Sequence, residues 1–246
     1  MALLAVEQVV VHFGGVRALD EVDLAAEPAA VTGLIGPNGA GKTTLFNVIC
    51  GLQVTDAGHV HLGEDVLDRQ SPHHRARLGI ARTFQRLEVF GSMTVRDNIR
   101  VAAEVRRGWS RSHRRGGVAP LDRANELLER VGLVAVADER VEALPTGLAR
   151  LVEVGRALAA EPRILLLDEP SSGLDEAETD AFGDLLLDLV RDGLAILLVE
   201  HDVDLVMRVC SRIHVLDFGR VIAVGTPAEV QRDTNVQAAY LGTGMA

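Results

Sequence analysis

Two stretches of this chain have the residue types and spacing of a phosphate-handling site. Gly36-Pro37-Asn38-Gly39-Ala40-Gly41-Lys42-Thr43 fits G-x-x-x-x-G-K-[ST], between a buried apolar stretch and a helical one. Glycines let such a loop turn its N–H groups inward, and the helix behind it adds the positive end of its dipole. Lys42 then reaches the β- and γ-phosphates, and the Thr43 hydroxyl is a ligand for Mg²⁺; Thr44 belongs to the same phosphate-binding set. Lys42 is the only lysine in a chain with 25 basic residues. A compact ammonium on a flexible stem is not replaceable by a guanidinium in a tight loop, so the exception marks a functional lysine. The second stretch is the apolar run Ile164-Leu165-Leu166-Leu167 ending in Asp168-Glu169-Pro170. A carboxylate at the tip of a strand beside a phosphate loop is placed to hold Mg²⁺, which is the role expected of Asp168. Glu169 is then free to orient and deprotonate an attacking water. Alone, such a run also reads as a strand and an acidic turn; beside Lys42 the chemical reading prevails.

These residues need a scaffold. The first thirty residues alternate apolar and polar positions and predict short antiparallel strands. Val31–Ile35 is a buried strand running into the Gly-rich turn, with a helix from about Lys42 to Cys50, and a small hairpin is expected over His59–Leu62 and Asp65–Leu67. Ser71-Pro72 predicts a helix start, with Ser as cap and Pro at the first position. Helices are expected over 94–105, 121–131, 147–160 and 176–192. The runs 164–167 and 195–199 are too short for helices and read as central parallel strands buried on both faces. A hairpin through Asp217-Phe218-Gly219-Arg220 and a helical tail follow. The expected fold is α/β: a P-loop NTPase core with a mixed or parallel sheet, an N-terminal antiparallel β-subdomain and a helical insert. The basic stretch 106–117 has no periodicity and reads as a solvated loop or as a phospholipid or partner contact.

Composition narrows the partners. A formal net charge of −10 argues against broad nucleic-acid or anionic-lipid binding. Cys50 and Cys210 have no metal-type spacing and read as reduced, packed thiols of a cytosolic protein. No signal peptide is evident, and no apolar run approaches the ~20 residues that span a bilayer, so a membrane role is expected to come through a partner. His59 and His61 share one strand face and His73 and His74 a helix start, but neither pair has a third ligand in view, and structural roles are expected.

The motifs and their order resemble the ABC ATPases, over nearly the whole chain. In that family a glutamine opens the helical insert, matched by Thr83-Phe84-Gln85. The resemblance implies that Gln85 senses the γ-phosphate site, ligates the metal and couples the site to a membrane subunit. Ser172-Gly173-Leu174-Asp175 matches a loop whose aspartate reaches across a dimer interface, and Val199-Glu200-His201-Asp202 matches a strand-end histidine that contacts the γ-phosphate. Phe13 sits where the family has an adenine-stacking aromatic. The family signature Leu-Ser-Gly-Gly-Gln is replaced by Leu144-Pro145-Thr146-Gly147-Leu148. Pro145 brings neither hydroxyl nor N–H, leaving Thr146 to supply a hydroxyl and Gly147 a backbone N–H to the opposite subunit's nucleotide.

The implied organisation is one ABC ATPase domain over 1–246, with 1–82 and 161–246 forming a catalytic lobe and 83–160 a helical subdomain that carries the signature loop. The implied activity is ATP hydrolysis, with ATP and Mg²⁺ bound. The implied assembly is a homodimer, or a heterodimer with a second ABC ATPase. It is docked on transmembrane permease subunits at the cytoplasmic face of the cell membrane and served indirectly by a solute-binding protein. Gly79-Ile80-Ala81-Arg82-Thr83-Phe84-Gln85, Met93-Thr94-Val95-Arg96-Asp97-Asn98-Ile99 and the tail from Asp217 to Gly242 resemble the branched-chain amino acid importers. The ATPase of lipopolysaccharide export is similar in several of these stretches, which leaves an exporter, or an importer of another small solute, as the alternative.

Overall fold

The computed structural model describes residues 2–109 and 118–241. Two sheets share the work. Strands β1 (Leu4–Phe13), β2 (Val16–Ala26), β4 (Ala57–Leu62) and β5 (Asp65–Val66) form an antiparallel sheet in the order β2-β1-β4-β5. The second sheet has the order β10-β9-β3-β8-β7-β6, built from β3 (Val31–Ile35), β6 (Ile80–Arg82), β7 (Ile164–Asp168), β8 (Ala195–Val199), β9 (Arg212–Asp217) and β10 (Arg220–Gly225). All its pairings are parallel except β9–β10.

The three central strands are buried at every position. Their side chains alternate between two cores. Leu165, Leu167, Ile196 and Leu198 face the helices, whereas Ile164, Leu166, Leu197 and Val199 face the antiparallel sheet and α1 (Lys42–Cys50). Each such side chain contributes roughly 2 kcal/mol by leaving water, and period-two alternation makes both layers depend on the same strands. The C-terminal tips of β3, β7 and β8 therefore lie side by side.

Helices α3 (Val95–Trp109), α4 (Pro120–Arg130) and α5 (Thr146–Ala159) sit in sequence between β6 and β7 and pack on one another. Their buried residues, among them Ile99, Leu127 and Val152, join the cluster on the helical face of the sheet. Helices α6 (Glu176–Arg191) and α7 (Val203–Val209) cover that face, and α8 (Pro227–Arg232) and α9 (Thr234–Leu241) follow the final hairpin.

Three local expectations need correction. The first is β6, a three-residue edge strand that the pattern did not reveal; its register with Ile164–Leu166, not its own hydrophobicity, makes it a strand. Second, α2 (Pro72–Leu78) starts with Pro at its first position, but Ser71 makes no capping hydrogen bond, its Oγ lying 3.0 Å from His73 Nδ1 instead. Third, Arg106–Trp109 belong to α3, held by an Arg106–Glu161 ion pair of 3.2 Å and by Arg77 stacked on Trp109. The remainder of that basic stretch, 110–117, lies outside the described residues. His59 and His61 share a strand as expected, and each has its own acidic neighbour, Asp68 at 2.7 Å and Glu7 at 3.7 Å. Cys50 and Cys210 are buried free thiols, and burial pushes Cys210 up to about 12.

Candidate active site

The phosphate loop follows β3 and feeds α1, whose N-cap is Gly41 with no side-chain cap and no acidic residue in the first turn. The helix's leading N–H groups are thus left for an outside acceptor, in a field that favours an anion. Gly36 is required by close approach: a Cβ there would lie 1.9 Å from the Leu216 carbonyl oxygen on β9. Lys42 is folded back into its own loop, donating from Nζ to the Gly36 oxygen at 2.6 Å and the Pro37 oxygen at 2.9 Å. Burial lowers its pKa, opposed by the charges of Glu169 and Asp168. The ammonium is therefore partly desolvated, which strengthens its attraction for a phosphate.

A cleft of about 470 Å³ opens over this loop. Asn38 through Thr44 line it together with Phe13, Gln85, Asp168, Glu169 and Phe218. Gly36 and Pro37 contribute through the carbonyls that hold Lys42. One cleft thus gathers residues from β1, the phosphate loop, the segment after β6, the tip of β7 and the β9–β10 turn.

The carboxylates behave differently. Asp168, at the end of β7, is buried and ion-paired with Arg82 Nη2 at 2.9 Å. Arg82 in turn reaches Asn47 Oδ1 at 2.6 Å and stacks against Phe46 and Phe84. Glu169 has φ +51, a conformation a non-glycine residue rarely adopts. Its N–H donates to the Val199 oxygen at 2.9 Å, locking the turn to β8. This turn places Glu169 Oε1 3.0 Å from His201 Nε2, the two residues predicted to act on water. Strain at such a position persists only where the surroundings enforce it.

Sequence reasoning missed what enforces it. Glu200 is buried, and its two oxygens accept the Ser171 N–H at 2.8 Å and the His201 N–H at 3.0 Å. One carboxylate thereby ties the loop after Glu169 to the loop of His201. The available signal was a lone acidic residue at the end of an apolar strand, which also reads as solvated. A second missed group lies on α5. Arg150 donates to the backbone oxygens of Phe84 at 2.8 Å and Gln85 at 2.5 Å, Glu153 accepts the Glu88 N–H at 2.8 Å, and Arg156 donates to the Glu88 oxygen. The helix that starts at Thr146 thus grips the Gln85 segment, and no local pattern marks Arg150 or Arg156 for that role.

Thr146, Gly147 and Asp175 do not line the cleft of their own chain. Thr146 is exposed and opens α5 after Pro145, again without a side-chain cap. Gly147 packs against the neighbouring loop, where a Cβ would meet the Gly173 oxygen at 2.7 Å. Asp175 caps α6, accepting the Glu178 N–H at 2.8 Å in a full capping box.

A phosphate loop, strand-tip carboxylates and a glutamate–histidine pair, on a parallel sheet with a helical insert, define a nucleotide-hydrolysing cassette. The ABC transporter family model matches residues 19–172, and the chain belongs to that family as an ATP-binding, ATP-hydrolysing subunit. Residues 220–246 match the model described as branched-chain amino acid ATP-binding cassette transporter. The chain is 38% identical over 249 residues to the high-affinity branched-chain amino acid transport ATP-binding protein LivG of Escherichia coli K12, covering 98% of each. It is 35% identical over 242 residues, again with 98% of each covered, to the lipopolysaccharide export system ATP-binding protein LptB of the same organism. Among solved structures, the ADP conformation of an ABC transporter cassette superposes with a TM-score of 0.87 at 31% identity, over 98% of this chain and 99% of that one.

Proposed function

We propose that this chain is the ATPase subunit of an ABC importer for branched-chain amino acids. The convergence of Lys42, Asp168, Gln85 and Glu169 on one cleft, with His201 reaching it through its 3.0 Å contact to Glu169, carries the mechanistic part of this reading. The match at residues 220–246 favours the importer over the lipopolysaccharide-export alternative.

In this mechanism Phe13 stacks on adenine, the loop 36–44 and the α1 N-terminus hold the phosphates, and Lys42 leaves its carbonyls for the β- and γ-phosphates. Thr43, Asp168 and Gln85 offer a hydroxyl, a carboxylate and an amide oxygen, a hard-oxygen set that fits Mg²⁺. Bound there, Mg²⁺ supplies positive charge against the phosphate oxygens. Glu169 accepts a proton from the attacking water, and His201, on the same carboxylate, holds that water and faces the γ-phosphate. Thr146 and Gly147 complete the site of a second ATPase, identical or different, and Asp175 reaches the same interface. Helix α5, gripping the Gln85 segment, links that interface to the chain's own nucleotide.

The segment 83–160 acts as a helical subdomain on the catalytic lobe. Between them runs a groove lined by Leu52, Pro72, Arg82, Phe84 and Arg156, placed beside Gln85 to receive a permease segment. No described helix is long and apolar enough to cross a membrane. Permease subunits would thus hold the chain at the cytoplasmic face, with a solute-binding protein delivering substrate from the other side.

The test is uptake of labelled leucine in cells lacking this gene, complemented with wild type or Glu169→Gln. Rescue by wild type alone supports the reading. Uptake that is unchanged by the deletion, in a strain without a redundant leucine carrier, moves the assignment to export or to another solute.

A further inference from the structure

The β9–β10 turn breaks a local rule. Phe218 and Gly219 have φ +42 and +77, the pattern of a two-residue hairpin turn that needs both central residues left-handed. Asn-Gly or Asp-Gly satisfies that turn, whereas a bulky aromatic at its first position is an outlier. Phe218 is also 86% exposed, so the strain is not repaid by burial within the chain. A sequence that breaks a local rule without a local gain points to function.

The turn is held where such a ring would be useful. Gly219 N–H donates to the Ala40 oxygen of the phosphate loop at 2.9 Å, and Asp20 N–H donates to the Gly219 oxygen at 2.8 Å. Arg220 pairs with the buried Asp20 at 2.5 Å. Phe218 is therefore fixed to the phosphate loop itself and lines the same cleft as Phe13.

We propose that Phe218 is a second nucleobase-binding residue of this cleft, stacking on the purine or its ribose while the loop holds the phosphates. The proposal rests on the cleft being the ATP site. Stacking on an aromatic face needs no hydrogen-bond code, so it suits a position that supplies affinity for a base through area and shape.

The test compares Mg²⁺-dependent binding of ADP and of inorganic triphosphate, by calorimetry, in wild type, Phe218→Asn and Phe218→Tyr. Asparagine is a preferred residue of this turn, so Phe218→Asn removes the ring and keeps the fold. The expected result is ADP affinity at least about fivefold weaker in Phe218→Asn, triphosphate affinity within twofold of wild type, and ADP binding restored in Phe218→Tyr. Unchanged ADP affinity in Phe218→Asn overturns the proposal, as does an equal loss for both ligands. Weakened dimerisation with intact ADP binding overturns it too, by assigning the ring to an interface between copies. Failure of wild type to bind ADP would instead refute the reading of the cleft itself.

Discussion

Replacing Glu200 by Gln tests how the active-site geometry is held. Both Glu200 oxygens accept backbone N–H groups, from Ser171 and His201, in a site only 5% exposed. Glutamine keeps one acceptor and turns the other into a donor. Whichever way the amide sits, one buried N–H then faces an NH₂ group. Leaving a buried donor unpaired costs about 1–3 kcal/mol, and the lost charge assistance adds to that figure. The chain escapes this cost only by moving one of the two loops, and those loops set the 3.0 Å contact between Glu169 and His201. Glu200→Gln is therefore expected to lower stability by roughly 2 kcal/mol and kcat by about tenfold. KM for ATP should hold within a factor of about two, because the Glu200 carboxylate accepts from Ser171 and His201 rather than from the phosphate loop. The assays are urea unfolding and steady-state ATPase, repeated in a His201→Ala background. There the second substitution should cost little further activity, since the residue it positions is gone. Stability and kcat both equal to wild type in Glu200→Gln would refute the reasoning, and full additivity with His201→Ala would refute its mechanistic half.

Lys42→Arg should fold normally yet lose nucleotide binding by on the order of 100-fold in a fluorescent-nucleotide titration, because a planar fork cannot reproduce a compact ammonium seated 2.6 and 2.9 Å from two carbonyls. Gly147→Ala places a Cβ 2.7 Å from a backbone oxygen, so α5 must shift off the 171–174 loop; thermal denaturation should show a loss of about 1–3 kcal/mol, and ATPase should fall with it. His214 is buried on β9, and that burial lowers its pKa to about 4. Its native neutral form therefore contributes stability that is complete above the unfolded value of about 6.5 and is lost as pH falls towards 4. Unfolding free energy should drop by about 2 kcal/mol between pH 7 and pH 5 from this residue, and His214→Leu should remove that part of the slope.

The sequence by itself determined the elements and the chemistry carried by short motifs. Gly36 to Thr43 specifies a strand–loop–helix because few residues satisfy a loop whose backbone must face inward, and the apolar runs 164–167 and 195–199 can only be buried strands. Period and turn chemistry are local, so the helices, central strands and final hairpin were legible within a few residues. Only the tertiary structure decided what joins them. Ile80–Arg82 became a strand because β7 offered a free edge, and Arg106–Trp109 became helix because Glu161 and Arg77 meet them there. The roles of Glu200, Arg150 and Phe218 were likewise invisible, since each depends on backbone far away in the chain, that of Ser171, of Phe84 and, through Gly219, of Ala40. A motif advertises its chemistry through residue type and spacing. A residue that positions a motif does so through three-dimensional proximity, which the packing of two layers on one sheet creates and no local pattern records.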